Sequence, residues 1–214
     1  MTETLPATES LEKLVASLAD NKLFLGRRYA EWCTAAPTLE SAVAAAAMAQ
    51  DEIGHARSLY PLLRDVAGES PETEAETRTE FINVDFLNRP FEGWTDFVAA
   101  NFLFDTALSV LLDSARESAF RDLGSRARRM LEEEPLHWLH GEGWTRRLAG
   151  RGEGVRQALI DSLNRVAPDT LAWFDLAAAD LVTAGILKAG AAELRERFRA
   201  QVNEILTPVG LPAI

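Results

Sequence analysis

Glu52 and His55 stand three residues apart in a stretch with the composition of a long helix, so both project from one face of it. Helical steps from Glu52 reach Ala45, Met48, Ala49, Ala56 and Leu59, the apolar stripe that a bundle helix turns inward. A carboxylate and an imidazole facing a core require a counter-charge or a metal, because an unpaired buried charge is costly. The pair therefore demands partners from elsewhere in the chain, and Glu134 with His137 repeats its spacing.

The remaining pattern is helical throughout. Residues 10–34 place Leu11, Leu14, Val15, Leu18, Leu23, Leu25, Tyr29 and Trp32 at broadly helical spacings. Pro37 breaks that run, and Thr38 then caps a second helix expected to reach Val66, with a kink at Pro61 and Gly68 closing it. Residues 69–80 read as an exposed connection and residues 81–94 as an irregular crossing. A third helix is expected over 95–118, with Val98, Phe102, Asp105, Leu108 and Leu112 on one face. A fourth is expected over 125–148, kinked by Pro135 beside Glu134 and His137. Shorter helices follow over 155–166, 168–187 and 191–205. No segment alternates as a strand does. The expected fold is all-α, one domain over residues 1–214 with a bundle core in residues 10–150 and additional C-terminal helices over 151–206.

Charge narrows the possible partners. The 33 acidic residues outnumber the 22 basic ones for a net charge of -11, and no basic stripe offers phosphates a surface, so nucleic acid is not expected. Cys33 is the single cysteine, which excludes an intrachain disulfide and a multi-thiolate metal site within one chain. The longest apolar run, within residues 41–49, is too short for a bilayer, and the acidic N-terminal stretch is unlike a secretory signal. A cytoplasmic protein without a membrane partner is expected.

Two antiparallel helices joined by a tight turn bring residues equidistant from that turn to the same height. For the first hairpin, turning at Pro37, the position level with Glu52 is Lys22. For the second, turning near residues 119 and 120, the position level with Glu134 is Asp105, itself on an apolar face. Carboxylate-bridged di-iron bundles use one acid from each of two helices and Glu-x-x-His from each of the other two. Glu52, His55, Asp105, Glu134 and His137 fill five of those six places, and Lys22 stands in the sixth. Glu31 is nine residues, roughly 13 Å along a helix, from the required height, and is rejected as a ligand. Asp20, two residues from Lys22, points elsewhere. His140, a turn beyond His137, is expected behind the ligands or at the surface, and Trp32, Trp94, Trp138, Trp144 and Trp173 in packing.

These residues resemble the phenylacetyl-CoA epoxidase family, the phenylacetic acid catabolic proteins of the ferritin-like superfamily. The matching stretches are Trp32 with Ala36-Pro37-Thr38-Leu39, then Gln50-Asp51-Glu52-x-Gly54-His55, Leu103-Phe104-Asp105 and Glu133-Glu134-x-x-His137, spread over about residues 10–150. The resemblance implies a heteromeric oxygenase in which one subunit holds a di-iron centre and binds the CoA thioester. A homologous subunit that has lost ligands supports it. Glu52, His55, Asp105, Glu134 and His137 match ligand positions, while Lys22 stands where the catalytic pattern has Glu. The run from Leu23 to Trp32 resembles the supporting subunit.

Two main readings follow. In the first, iron, as one metal or two, activates dioxygen for an aromatic CoA thioester, with electrons from a separate reductase; Lys22 is then either beside a single metal or a desolvated neutral amine. In the second, the chain is a non-catalytic scaffold in which the Lys22 ammonium replaces a lost metal. Iron storage is a weaker third, since the tryptophans and the C-terminal helices do not suit a cage subunit. The sequence leans to a family member that retains a metal site within a homo- or hetero-oligomer containing a homologous subunit.

Overall fold

A computed structural model describes residues 8–73 and 76–214, and every regular element among them is helical. Helices α1 (Thr8–Glu31) and α2 (Leu39–Ala67) form the first hairpin and pack closely against each other. Thr38 Oγ1 accepts the Ser41 N–H at 3.2 Å and starts α2. Gly68, at a φ of 85°, stops it with a bond from its N–H to the Arg64 carbonyl at 2.8 Å. Pro61 sits within α2 without ending it.

Helix α3 (Trp94–Ala115) begins the second hairpin, and its turn over Ala100–Asp105 is π-helical. Two elements answer it, α4 (Arg121–Met130) and α5 (Glu134–Ala149). The single kinked helix expected from Ser125 is thus replaced by one that starts four residues earlier and breaks at residues 131–133. Pro135 explains the break: it has no N–H for the Leu131 carbonyl, so it opens the first turn of α5 instead of continuing α4. The bonds before it tighten, with Glu132 N–H to Arg129 O at 3.2 Å and Glu133 N–H to Met130 O at 2.9 Å.

Beyond the bundle come α6 (Glu153–Trp173), α7 (Ala179–Thr183) and α8 (Ala191–Leu206). The expected break before Pro168 and the helix over 168–187 are both absent. Pro168 and Asn164, whose carbonyl loses its partner, lie on the exposed side, where solvent can take the missing bond. These elements cover α3. Phe104 packs edge-on to Trp173 at 5.5 Å, Phe174 lies 5.8 Å from both Trp173 and Phe198, and Ser114 Oγ accepts the N–H groups of Lys188 and Ala189 at 3.0 Å. One continuous apolar cluster runs from Leu11 in α1 to Leu211 near the C-terminus.

The connection between the hairpins is largely exposed, as the sequence suggests, although residues 74 and 75 of that expected loop lie outside the described residues. The carboxylate of buried Asp20 accepts from Arg78 Nε and Nη2 at 2.9 Å, Tyr60 OH at 2.9 Å and Ile82 N–H at 2.8 Å. Asp20 therefore straps this segment onto α1. Among the described residues only α3 is long and apolar enough to cross a membrane, and 83% of its apolar window is buried inside the bundle.

Candidate functional site

Lys22, on α1, is completely buried at the centre of the bundle. Its Nζ lies 2.6 Å from Glu134 Oε1, 2.8 Å from Glu52 Oε1 and 3.6 Å from Asp105 Oδ1. One residue from each of four helices thus meets at one height, as the hairpin arithmetic requires. His137 completes the arrangement: its Nδ1 lies 3.0 Å from Asp105 Oδ2 and its Nε2 3.2 Å from Asp51 Oδ2. Glu52, Asp105, Glu134 and His137 each offer one ligand-type atom within 4.8 Å of the others, and all four are buried.

His55 is turned partly away. Its Nε2 bonds Glu133 Oε2 at 2.7 Å, while its Nδ1 stays 3.7 Å from Glu52 Oε1 and 3.9 Å from Glu134 Oε1. Glu31 is half-exposed and pairs with Arg28 at 3.1 Å, well apart from the cluster. His140 stands behind it: Nδ1 is 3.0 Å from Asn101 Oδ1, and Asn101 Nδ2 reaches Asp105 Oδ2 at 3.3 Å and the His137 carbonyl at 3.2 Å. Three of the tryptophans pack as expected, with Trp94 lying 5.5 Å from Trp32 and 5.2 Å from Trp144, and stacked on Phe97 at 4.4 Å.

Several partners were not picked out from the sequence. Tyr29 OH donates to Asp105 Oδ2 at 3.1 Å and Ser109 Oγ donates to Glu134 Oε2 at 2.8 Å. Asp51 and Glu133 hold the outer nitrogens of the two histidines. A signal existed for three of these residues. Tyr29 lies two turns from Lys22 on the same face, and Asn101 and Ser109 each lie one turn from Asp105. Asp51 and Glu133 carry no such signal, since each neighbours a ligand-type residue and shows its role only once the helices are docked.

Burial alone would strip Lys22 of its proton, but the charges of Glu134, Glu52 and Asp105 outweigh it and hold its pKa above the ordinary value. The three acids thus favour the ammonium form of Lys22. His137 is also cationic: against the cost of burial, the charge and hydrogen bond of Asp105 push it up to about 10. Burial would raise Asp105, yet His137 and Lys22 hold it below the usual carboxylate range. Glu134 goes the other way, raised to about 7 by burial and by Asp105 and Glu52 against the pull of Lys22. Three carboxyl groups thus face the Lys22 ammonium and the His137 imidazole.

The sequence matches the phenylacetic acid catabolic protein family over residues 2–213. It is 30% identical over 192 residues to a subunit of 1,2-phenylacetyl-CoA epoxidase from Escherichia coli K12, covering 86% of this chain and 76% of that one. This chain belongs to the phenylacetic acid catabolic protein family. Its fold is shared with a phenol hydroxylase from Pseudomonas sp. OX1, at a TM-score of 0.67 and 15% identity over 98% of this chain and 67% of the hydroxylase chain. The helical, ferritin-like architecture expected from the sequence is thereby shown.

Whether this member of the family has room for iron can be judged from the donors. Their chemistry is right, and Glu52 Oε2, His55 Nδ1 and Asp105 Oδ1 are buried without a hydrogen-bond partner. The centre, however, is taken. The Lys22 ammonium holds one oxygen each of Glu52 and Glu134 at hydrogen-bond distance, where a metal would need them. An iron ion placed there would meet a fixed positive charge at contact range, in surroundings that screen it poorly. A two-iron centre does not fit the cluster as it stands.

Proposed function

We propose that this chain is the supporting subunit of an oxygenase assembly that acts on an aromatic CoA thioester in the cytoplasm. A homologous subunit holds the iron, and a reductase supplies the electrons. The observation that carries this reading is Lys22 Nζ at 2.6 and 2.8 Å from the two glutamates of the paired Glu-x-x-His motifs. An internal cation performs the structural task of a metal, neutralising acids from three other helices, and it leaves no open position at which dioxygen could bind. The relative named as an epoxidase subunit supports an assembly of more than one subunit.

A second reading keeps one metal. It is favoured by the four ligand-type atoms of Glu52, Asp105, Glu134 and His137 lying within 4.8 Å of one another, and it requires Lys22 to swing out.

Metal analysis by mass spectrometry on protein prepared with ferrous iron under anaerobic conditions separates the two. Wild-type chain is expected to bind none, whereas Lys22→Glu is expected to take up iron and to absorb in the near ultraviolet once oxygen is admitted. One or more irons per wild-type chain would overturn the scaffold reading. Failure of a folded Lys22→Glu protein to bind iron would sink the idea that Lys22 fills a vacated ligand position.

A further inference from the structure

Between α2 and α4 lies a cavity of about 590 Å³, walled by Gln50, Gly54 and Pro61 from the first helix and by Ser125, Arg126 and Arg129 from the second. That volume is within the range of small-molecule sites. The two arginines stand three residues apart and so share one face of α4. Arg126 is half-buried, its Nε fixed to the Ser58 carbonyl at 2.7 Å and its Nη1 reaching the Asp122 carbonyl at 3.4 Å. Arg129 is exposed and bonds no other described residue. The chain carries 33 acidic residues against 22 basic ones, yet neither guanidinium pairs with a carboxylate among the described residues.

Two acids also line the cavity, and both are already engaged. Glu133 Oε2 lies 2.7 Å from His55 Nε2, and Asp51 Oδ2 lies 3.2 Å from His137 Nε2. The charge left without a partner is that of the two guanidinium groups. Gly54 makes room beside them. It sits inside α2, where glycine is unfavourable, and a Cβ there would meet nothing within 4 Å, so no packing in this chain requires it. Its bare backbone forms part of the cavity wall and lets a ligand lie against the helix.

We propose that this cavity binds a phosphomonoester, its phosphate held by Arg126 and Arg129 and its organic part lying along Gly54 and Pro61. A phosphate dianion matches two guanidinium groups in charge and offers its terminal oxygens to both of their forked N–H sets. The Ser125 hydroxyl and the Gln50 amide stand in the same walls as further donors. A single carboxylate carries half that charge and satisfies one fork. The site does not depend on whether the central cluster holds iron.

Titration calorimetry of the full chain with phenyl phosphate, inorganic phosphate and benzoate tests the proposal. Phenyl phosphate is expected to bind at one site per chain and more tightly than either of the others. Arg129→Gln, which removes no bond within the fold, is expected to weaken it by about tenfold or more, the usual worth of a charge-assisted bond. Gly54→Gln fills the space and is expected to abolish binding while the thermal midpoint holds or rises. Arg199→Gln, at an exposed arginine on α8, is the control and is expected to leave affinity unchanged. Circular dichroism verifies that each variant is folded. No saturable binding of phenyl phosphate would overturn the proposal, as would binding that Arg129→Gln and Gly54→Gln leave unchanged or that Arg199→Gln weakens equally. Benzoate binding as tightly as phenyl phosphate would overturn the phosphate assignment, and inorganic phosphate doing so would overturn the place given to the organic part.

Discussion

His137 exchanges its proton with pH in a way that ties the cluster to stability. Its pKa in the fold is about 10, against about 6.5 for a free imidazole. Below 6.5 both folded and unfolded chains hold the proton, and the full stabilisation is present. Between 6.5 and 10 only the folded chain holds it, so stability falls as pH rises. Glu134, raised to about 7, adds a loss of the same sign between its ordinary range and neutrality. Asp105 acts oppositely, its lowered pKa costing stability only when pH falls below the usual carboxylate range. Thermal unfolding is therefore expected to show a midpoint that is highest on the acid side of neutral and declines towards pH 10. The decline corresponds to a few kcal/mol. In His137→Gln the alkaline slope is expected to flatten; an unchanged slope would show that the proton sits elsewhere. At this scale the sequence was informative, since equal distances from two turns were enough to set Lys22 opposite Glu52 and Asp105 opposite Glu134. It did not show that Asp51 would hold His137 or that Glu133 would turn His55 outward, because both depend on how α2 faces α5.

Among the elements, two glycines set how closely the helices within each hairpin approach one another beside the cluster. A Cβ on Gly26 of α1 would lie 2.8 Å from Ile53 Cγ1 and 3.0 Å from Glu52 Cβ. One on Gly141 of α5 would lie 3.0 Å from Asn101 Oδ1 and 3.1 Å from Phe102 Cα, in the π-helical turn of α3. The second contact involves backbone, which cannot swing aside. Gly141→Ala is expected to lower stability by about 1–3 kcal/mol, as overpacking does, and to disturb the Asn101 bonds to Asp105 and His137. Denaturant titration measures the loss, and a change below about 0.5 kcal/mol would mean that α3 and α5 separate freely. Helix existence was readable from the apolar periodicity, while helix continuity was not. Pro135 breaks its helix and Pro168 does not, although both are preceded by helical pattern. The difference lies in surroundings: the chain before Pro135 already turns in tight bonds, whereas Pro168 sits on an exposed face of a helix anchored through Ser162 to Asp96 and through Trp173 to Ser17. The π-helical turn likewise left no mark in the sequence pattern.

At the scale of the molecule, α6 and α8 are what allow α3 to be so apolar. Ending the chain at Gly150 would uncover Phe104 and strip the bonds at Ser114 and Asp96. The shortened chain is expected to aggregate or to lose cooperative unfolding, seen by gel filtration and calorimetry. A monomeric fragment with a sharp transition would show that residues 10–150 fold alone. The buried lysine has another consequence at this scale. A bound metal stabilises a fold only in proportion to the logarithm of its free concentration, and it departs when a chelator lowers that concentration. Lys22 is joined to the backbone, so its concentration at the site is fixed and no chelator competes for it. This chain can therefore reach its final shape before any iron is delivered.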